Sequence, residues 1–205
     1  MQTALFAVAL AGATVVAPTR PAPRAQAPRA AAPVTWAIDP VHSDASFKIR
    51  HVVSRVTGNI REWSGTIVAD PANLSGGSVE LTLNMASIDT HNEKRDGHLK
   101  SAEFFDVVKF PTATFKSTKV TAKGNDLTIL GDLTMKGVTK PVTLTAEFTG
   151  AAGEAVAGKQ KAGFHASAKI NRLDWGVSWN RAAEGGGAVL GDDVDLDFNI
   201  EATRQ

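Results

Sequence analysis

From Val34 onward, hydrophobic and polar residues alternate with a period of two, the spacing of strands that bury one face and wet the other. Ala45, Phe47 and Ile49 alternate with Ser46, Lys48 and Arg50. Val79, Leu81, Leu83 and Met85 alternate with Glu80, Thr82 and Asn84. Leu127, Ile129, Leu133 and Met135 share one parity, with Gly131 between them. Val142, Leu144, Ala146 and Phe148 form another such run, as do Phe164, Ala166, Ala168 and Ile170. The cleanest case sets Val194, Leu196, Phe198 and Ile200 against Asp193, Asp195, Asp197 and Asn199. Acids at alternate positions cannot all be buried, so that face meets solvent.

Turn signals separate the runs. Asp70-Pro71-Ala72-Asn73, Ser75-Gly76-Gly77, Lys123-Gly124-Asn125-Asp126 and Met135-Lys136-Gly137 are expected to break strands, the last two as hairpin connections. Gly150 to Gly158 reads as a soft Gly/Ala loop and Gly185-Gly186-Gly187 as another turn. Helical signal is scarce. Asn92 is placed to cap a short helix through Leu99, with Glu93 in its first turn and Lys100 at its end, and Arg172 to Trp175 reads as a second short turn. The segment from Ile88 to Asp106 is dense in polar residues, runs into Phe104-Phe105 and closes on Lys109-Phe110-Pro111. With strand-like sequence on both sides, it predicts a polar helical lid with an apolar foot.

The fold class is therefore all-β. About eight antiparallel strands, each with one wet face, make a sandwich or a closed barrel, and closure removes the exposed edges. An eight-stranded barrel is either filled by its own side chains or just wide enough for one small ligand. The inward set mixes sizes: Ala45, Ala113, Ala146, Ala166, Ala168 and Gly131 stand beside Phe47, Phe115, Phe148 and Phe164. Small residues there leave a slot, or make room for the phenylalanines to interdigitate.

Composition narrows the class. The chain has 205 residues, no Cys and a formal net charge of +1. That length suits one domain, and the absence of Cys excludes a disulfide framework and thiolate chemistry. Ala4 to Ala17 is apolar and uncharged, too short for a helix across a bilayer, which takes about 20 residues. Residues 1–17 read as an export signal with Ala11-Gly12-Ala13 as a small-residue cleavage site, although no Lys or Arg precedes the run. The alternative is a buried N-terminal strand or helix. Residues 18–33 form a Pro/Ala/Arg linker, extended by its prolines. Its Arg20, Arg24 and Arg29 account for the basic balance; without them the remainder, residues 34–205, stands at about −2. A mildly acidic domain argues against nucleic acid as its partner.

Several segments, in order, match one family. They are Ile38-Asp39-Pro40-Val41-His42-Ser43, Phe47 and His51, Gly58 and Gly65, Ile88-Asp89-Thr90, Asn92, Arg95-Asp96, His98-Leu99, Ser101 and Phe104-Phe105-Asp106. Phe110-Pro111, Phe115, Gly131-Asp132-Leu133-Thr134, Gly137-Val138-Thr139, Pro141-Val142, Ile170-Asn171-Arg172 and Asp174-Trp175-Gly176 continue the match. The chain resembles the YceI-like family, bacterial periplasmic proteins with a lipocalin-like barrel that bind polyisoprenoid or other long-chain lipids. The resemblance spans about Trp36 to Ala202, with Trp175 where the family usually has Phe, a swap that adds volume and would shorten the pocket.

The resemblance implies an extended antiparallel eight-stranded lipocalin-like β-barrel with a short helical lid, exported to the periplasm or secreted after signal cleavage. It implies a lipid tail along the barrel interior, held by burial alone. A methylene contributes about 0.8 kcal/mol, so some fifteen to twenty carbons supply more than about 10 kcal/mol before ordering costs. The expected lipid-binding residues are Phe47, Ile49, Leu81, Leu83, Phe104, Phe115, Leu133, Leu144, Phe164 and Trp175. Asn92, Arg95, Asp96 and His98 are expected as a polar gate. That cluster reads either as a head-group site or as a capped lid pinned by an Arg95–carboxylate pair and a histidine hydrogen bond. No cofactor, metal or catalytic residue is expected. The expected partner is a long-chain lipid or isoprenoid, with transient membrane contact and a homodimer as further expectations.

Two other readings stand beside the container. His42, His51, His91 and His98, near Asp44, Asp89 and Asp96, raise a metal-assisted lipid-modifying enzyme, but their spacing matches no ligand pattern of the His-Glu-x-x-His kind. There is no Gly-x-Ser-x-Gly elbow, and Ser43 beside His42 points to the opposite face of a strand. The other reading is a ligand-free interaction module with a solidly packed barrel. Trp36, Trp63, Trp175 and Trp179 suit either an isoprenoid-stacking role or plain core.

Overall fold

The structure, a computed structural model, describes residues 33–156, 158–182 and 186–205. The expected export signal, the linker as far as residue 32 and Gly185 lie outside the described residues. The strands are β1 (Val34–Ile38), β2 (Asp44–His51), β3 (Ser54–Ile60), β4 (Trp63–Asp70), β5 (Asn73–Asn84), β6 (Ile88–Asp89), β7 (Thr112–Lys123), β8 (Asp126–Met135), β9 (Val138–Val156), β10 (Lys159–Asn171) and β11 (Leu190–Arg204). One α-helix, α1 (Glu93–Lys100), follows β6, and 3-10 turns occupy Met85–Ser87 and Arg172–Trp175.

Every strand pairing is antiparallel, and β1 returns to β11 with Trp36 opposite Arg204, which closes the ring. β11 pairs with β1 through its C-terminal end and with β2 through Val194 to Asn199, so β1 and β2 occupy one position of the ring in succession. β4 and β3 share the next position, since β4 pairs with β1 and β3 with β2. β5 and β6 share the third, paired with β4 and β3 and separated by the 3-10 turn. The result is a closed eight-stranded antiparallel barrel.

The inward parity is the one the alternation predicts. Val79, Leu81, Leu83 and Met85 are buried, as are Leu127, Ile129, Leu133, Met135, Val142, Leu144, Ala146, Phe164, Ala166, Phe198 and Ile200. The acidic face of β11 points outward, where Asp195 pairs with Arg55 at 2.8 Å and Lys169 at 3.3 Å. Such exposed pairs contribute little stability.

Both expected hairpins form. Lys123 and Asp126 pair across a two-residue loop that starts at Gly124, φ +62°. Met135 and Val138 pair across Lys136 and Gly137, both at positive φ, the backbone of a type I′ turn.

Two expected breaks are strand instead. Gly150 to Gly158 is not a loop: β9 continues to Val156, with Gly150, Ala151 and Ala152 opposite Gly163, Ala162 and Lys161. β10 offers a full row of backbone partners, and pairing overrides the weak strand preference of Gly and Ala. Ser75-Gly76-Gly77 also lies within β5, where the β4–β5 register shifts between Val68 and Asp70. Gly76 takes φ +80°, and a Cβ on Gly77 would stand 2.7 Å from the Val68 carbonyl oxygen. The glycines therefore mark a bulge inside the strand.

Candidate functional site

The barrel interior is full at one end and hollow at the other. The full end holds a residual space of about 40 Å³ among Ile67, Leu74, Leu127, Leu144, Phe164 and Ile200. The hollow end is a cavity of about 400 Å³. Phe198 lines both spaces and stands between them, its ring 6.3 Å from that of Trp63. Small and flexible inward residues make the hollow. Ala113 faces it from β7 opposite Leu83 of β5, and Met85 and Met135 line it beside Leu133. β6 contributes only Ile88 and Asp89, so the wall stops short there and α1 takes over.

The lid is held by polar contacts. Within α1 the only large apolar side chain is Leu99, and no residue is buried, so the helix has no apolar face to dock. Asn92 caps it by accepting a bond from the Arg95 N–H at 3.0 Å, and Glu93 and Asp96 in the first turn complement its dipole. Thr90, 3% exposed, is the anchor. Its N–H donates to Asp96 Oδ1 at 2.9 Å, its hydroxyl donates to the same oxygen, and its Oγ1 and carbonyl accept from the Arg95 guanidinium at 2.7 Å each. The expected Arg95–carboxylate pair is thus replaced by an Arg95–Thr90–Asp96 chain, because Thr90 lies between the two charges. His98 does form its hydrogen bond, to Glu103. The imidazole packs edge-on against Phe104 at 4.8 Å and Trp179 at 4.9 Å, so lid and foot close on one aromatic cluster.

A second cover lies between the 3-10 turn after β10 and β11, described over residues 176–182 and 186–189. Val177, Trp179, Arg181 and Val189 from this strap line the cavity. Arg172, 3% exposed, clasps it. Its guanidinium donates to the carbonyls of Gly191 at 2.9 Å, Trp179 at 2.9 Å and Val177, with Asp192 at 3.5 Å outside. Burial pulls the guanidinium below its usual range and Asp192 opposes that; the group stays charged. Gly176, φ +69°, ends the turn in the left-handed region and lets the strap turn back.

Of the expected lining residues, Phe47, Ile49, Leu83, Phe104 and Leu133 meet on the large cavity. Leu81, Leu144 and Phe164 line the small space at the full end. Phe115 and Trp175 are buried in the wall and line neither; the Trp175 indole N–H donates to the Leu133 carbonyl at 3.1 Å, so its extra volume does not shorten the cavity. Of the gate residues, Arg95 and His98 line the cavity, while Asn92 serves as helix cap and Asp96 as Thr90's acceptor. Sequence reasoning missed Arg172, the strap and Thr90. A strap follows no period, and Arg172 stood out only as part of a family segment. Val194 and Leu196, which also line the cavity, were legible in the β11 alternation.

The histidines do not converge. His51 and His98 line the cavity, His91 is exposed, and His42 lies 3.0 Å from Asp39. Among the described residues one group has metal-ligand spacing, Asp39, His42 and Glu201. Lys161 Nζ already sits there, 3.0 Å from each carboxylate. This is an ion-paired clamp between the β1–β2 junction, β10 and β11.

The fold and the hollow define an antiparallel barrel that encloses an apolar cavity beneath a helical lid. The family model for the YceI-like domain matches residues 36–202, and the chain belongs to that family. It is 39% identical over 165 residues to Protein YceI of Salmonella newport, covering 80% of this chain and 83% of that protein. The crystal structure of the Campylobacter jejuni YCEI protein superposes with a TM-score of 0.66 at 32% identity, over 75% of this chain and 87% of the other. Burkholderia cenocepacia BcnA shares the fold, with a TM-score of 0.70 at 24% identity over 81% of this chain and 99% of the other. So does a polyisoprenoid binding domain from Saccharophagus degradans, with a TM-score of 0.60 at 15% identity over 84% and 99% of the two chains.

Proposed function

We propose that this protein is an exported binding protein that sequesters or carries a long-chain apolar molecule, a polyisoprenoid, an isoprenoid quinone or a fatty-acid derivative. The observation that carries the reading is the apolar hollow of about 400 Å³ roofed by α1 and the strap. Its volume falls in the range of about 300–1,000 Å³ common to small-molecule sites. Holding such a chain needs burial and no reactive group, which suits walls of Leu, Ile, Met and Phe. The Saccharophagus degradans neighbour is a polyisoprenoid binding domain, which agrees with this class of ligand. The uncharged run from Ala4 to Ala17, followed by a run of Pro, Ala and Arg, supports export.

Native mass spectrometry of the protein made in a bacterial host, with lipid extraction, tests the proposal. A non-covalent adduct of long-chain lipid mass is expected, along with a mature mass lacking the N-terminal apolar run. The same spectrum reports whether the protein is a homodimer. Leu83→Glu sets a charge in the cavity wall and should remove the adduct while native β-sheet circular dichroism remains. A folded Leu83→Glu protein that still carries the same lipid, or a wild-type protein that takes up no apolar probe, would overturn the reading.

A further inference from the structure

We propose that the cavity selects apolar chains ending in an anionic head group, a carboxylate or a phosphate, and that Lys94, Arg95 and Arg181 at its mouth read that charge. This rests on the container reading above and adds the chemistry of the ligand's polar end. The cavity lining includes Lys94, Arg95, Arg172 and Arg181, with His51 and His98, and no Asp or Glu of a described residue. The asymmetry is local, because residues 34–205 together stand at about −2.

Most acids near the mouth are committed to other groups, and Glu93, exposed beside Lys94 on α1, does not line the cavity. Asp89 accepts from Arg61 at 2.9 Å and from the His91 N–H at 2.7 Å. Asp96 is held by Thr90 and Glu103 by His98, while Asp192 stands against the outer side of Arg172. Arg95 spends Nε and one Nη on Thr90, and neither Lys94 nor Arg95 takes part in an ion pair among the described residues. Arg172 is different: its Nε and one Nη are taken by carbonyls and its other Nη faces Asp192, so it is a fixed, buried cation beside the hollow whose charge Asp192 partly offsets. Positive groups around a low-dielectric hollow focus a field that favours a negative head at the mouth. Lys94 and Arg181 are exposed, and their long stems let the charged ends follow a head group.

The test uses the full chain stripped of co-purified lipid. The neutral probe N-phenyl-1-naphthylamine is displaced by two matched pairs, oleic acid against oleyl alcohol and farnesyl phosphate against farnesol, at low salt and slightly alkaline pH. The anion of at least one pair should displace the probe at a concentration roughly tenfold or more below its alcohol, the effect of one charge-assisted hydrogen bond. A preference in only one pair identifies the head group as carboxylate or phosphate. High salt should shrink the ratio, and so should the double variant Lys94→Gln, Arg181→Gln, with both side chains on the surface. Equal displacement by anion and alcohol in both pairs overturns the charge selection and leaves the container standing. So does a preference that survives both salt and the double variant. If the probe does not bind and none of the four ligands is taken up, the container fails, and this inference falls with it.

Discussion

Gly131 and Gly58 decide how two phenylalanines enter the barrel. A Cβ on Gly131 would stand 2.4 Å from Phe115 Cζ and 2.6 Å from the Lys116 carbonyl oxygen. One on Gly58 would stand 2.4 Å from Phe47 Cζ and 2.7 Å from Thr90 Cγ2. Neither glycine has positive φ, so the requirement is space, not backbone freedom. The small inward residues thus do both things their sizes allowed: Gly131 and Gly58 receive aromatic rings, while Ala113 leaves a hollow. Gly131→Val should destabilise the barrel by about 1–3 kcal/mol or more, because one of the clashing atoms is backbone and cannot yield cheaply. Urea unfolding followed by tryptophan fluorescence measures it. An unchanged midpoint would show that Phe115 has somewhere else to go.

At the scale of elements, the lid and the barrel wall are stabilised by different forces. The wall is apolar burial on a continuous hydrogen-bonded ring. The lid is an eight-residue helix without an apolar face, tied down through Thr90, Arg95 and Asp96. An isolated helix of that length is not stable in water, so the tie determines whether it is formed. Thr90→Val keeps the shape and removes the hydroxyl, which leaves Arg95 Nε without its acceptor and Asp96 Oδ1 with the backbone N–H of position 90 but not the hydroxyl. A loss of about 1–3 kcal/mol is expected, confined to the lid. It should read as roughly tenfold or faster amide exchange in α1, with exchange in β7 to β10 little changed. Equal acceleration throughout would mean that lid and barrel open as one unit. The helix was legible from Asn92, Glu93 and Lys100. Its anchor was not, because Thr90 precedes the cap and acts through two side chains on the next turn.

At the scale of the molecule, closure depends on β1 meeting β11, and a charged clamp sits at that seam. Hydrogen bonds from His42 and then Lys161 hold the Asp39 carboxyl well below the usual carboxylate range. Hydrogen bonds to Glu201 and then Asp39 hold the Lys161 amine above its usual range. A depressed carboxyl adds stability that is complete above its unfolded value, about 3.9, and fades as pH falls below it. A raised amine adds stability that is complete below about 10.4 and fades as pH rises past it. Asp39→Asn should therefore unfold more easily than wild type at about pH 6, and the gap should narrow between about pH 4 and pH 2. Urea midpoints across that range decide it, and a gap that stays constant would show that Asp39 acts through packing alone. By itself the sequence determined that the chain is all-β, which side chains face inward, where the hairpins turn and where the lid helix starts. Those features are local: they follow from a period of two, from turn residues and from a cap, and each is written within a few neighbouring positions. Only the tertiary structure decided that the inner end is filled and the outer end hollow, that Leu81, Leu144 and Phe164 fall on the filled side, and that Arg172 clasps a strap across the mouth. Those features depend on which residues meet across the ring, such as Ala113 facing Leu83 or Arg172 reaching Gly191, and contacts between distant positions leave no period in the chain.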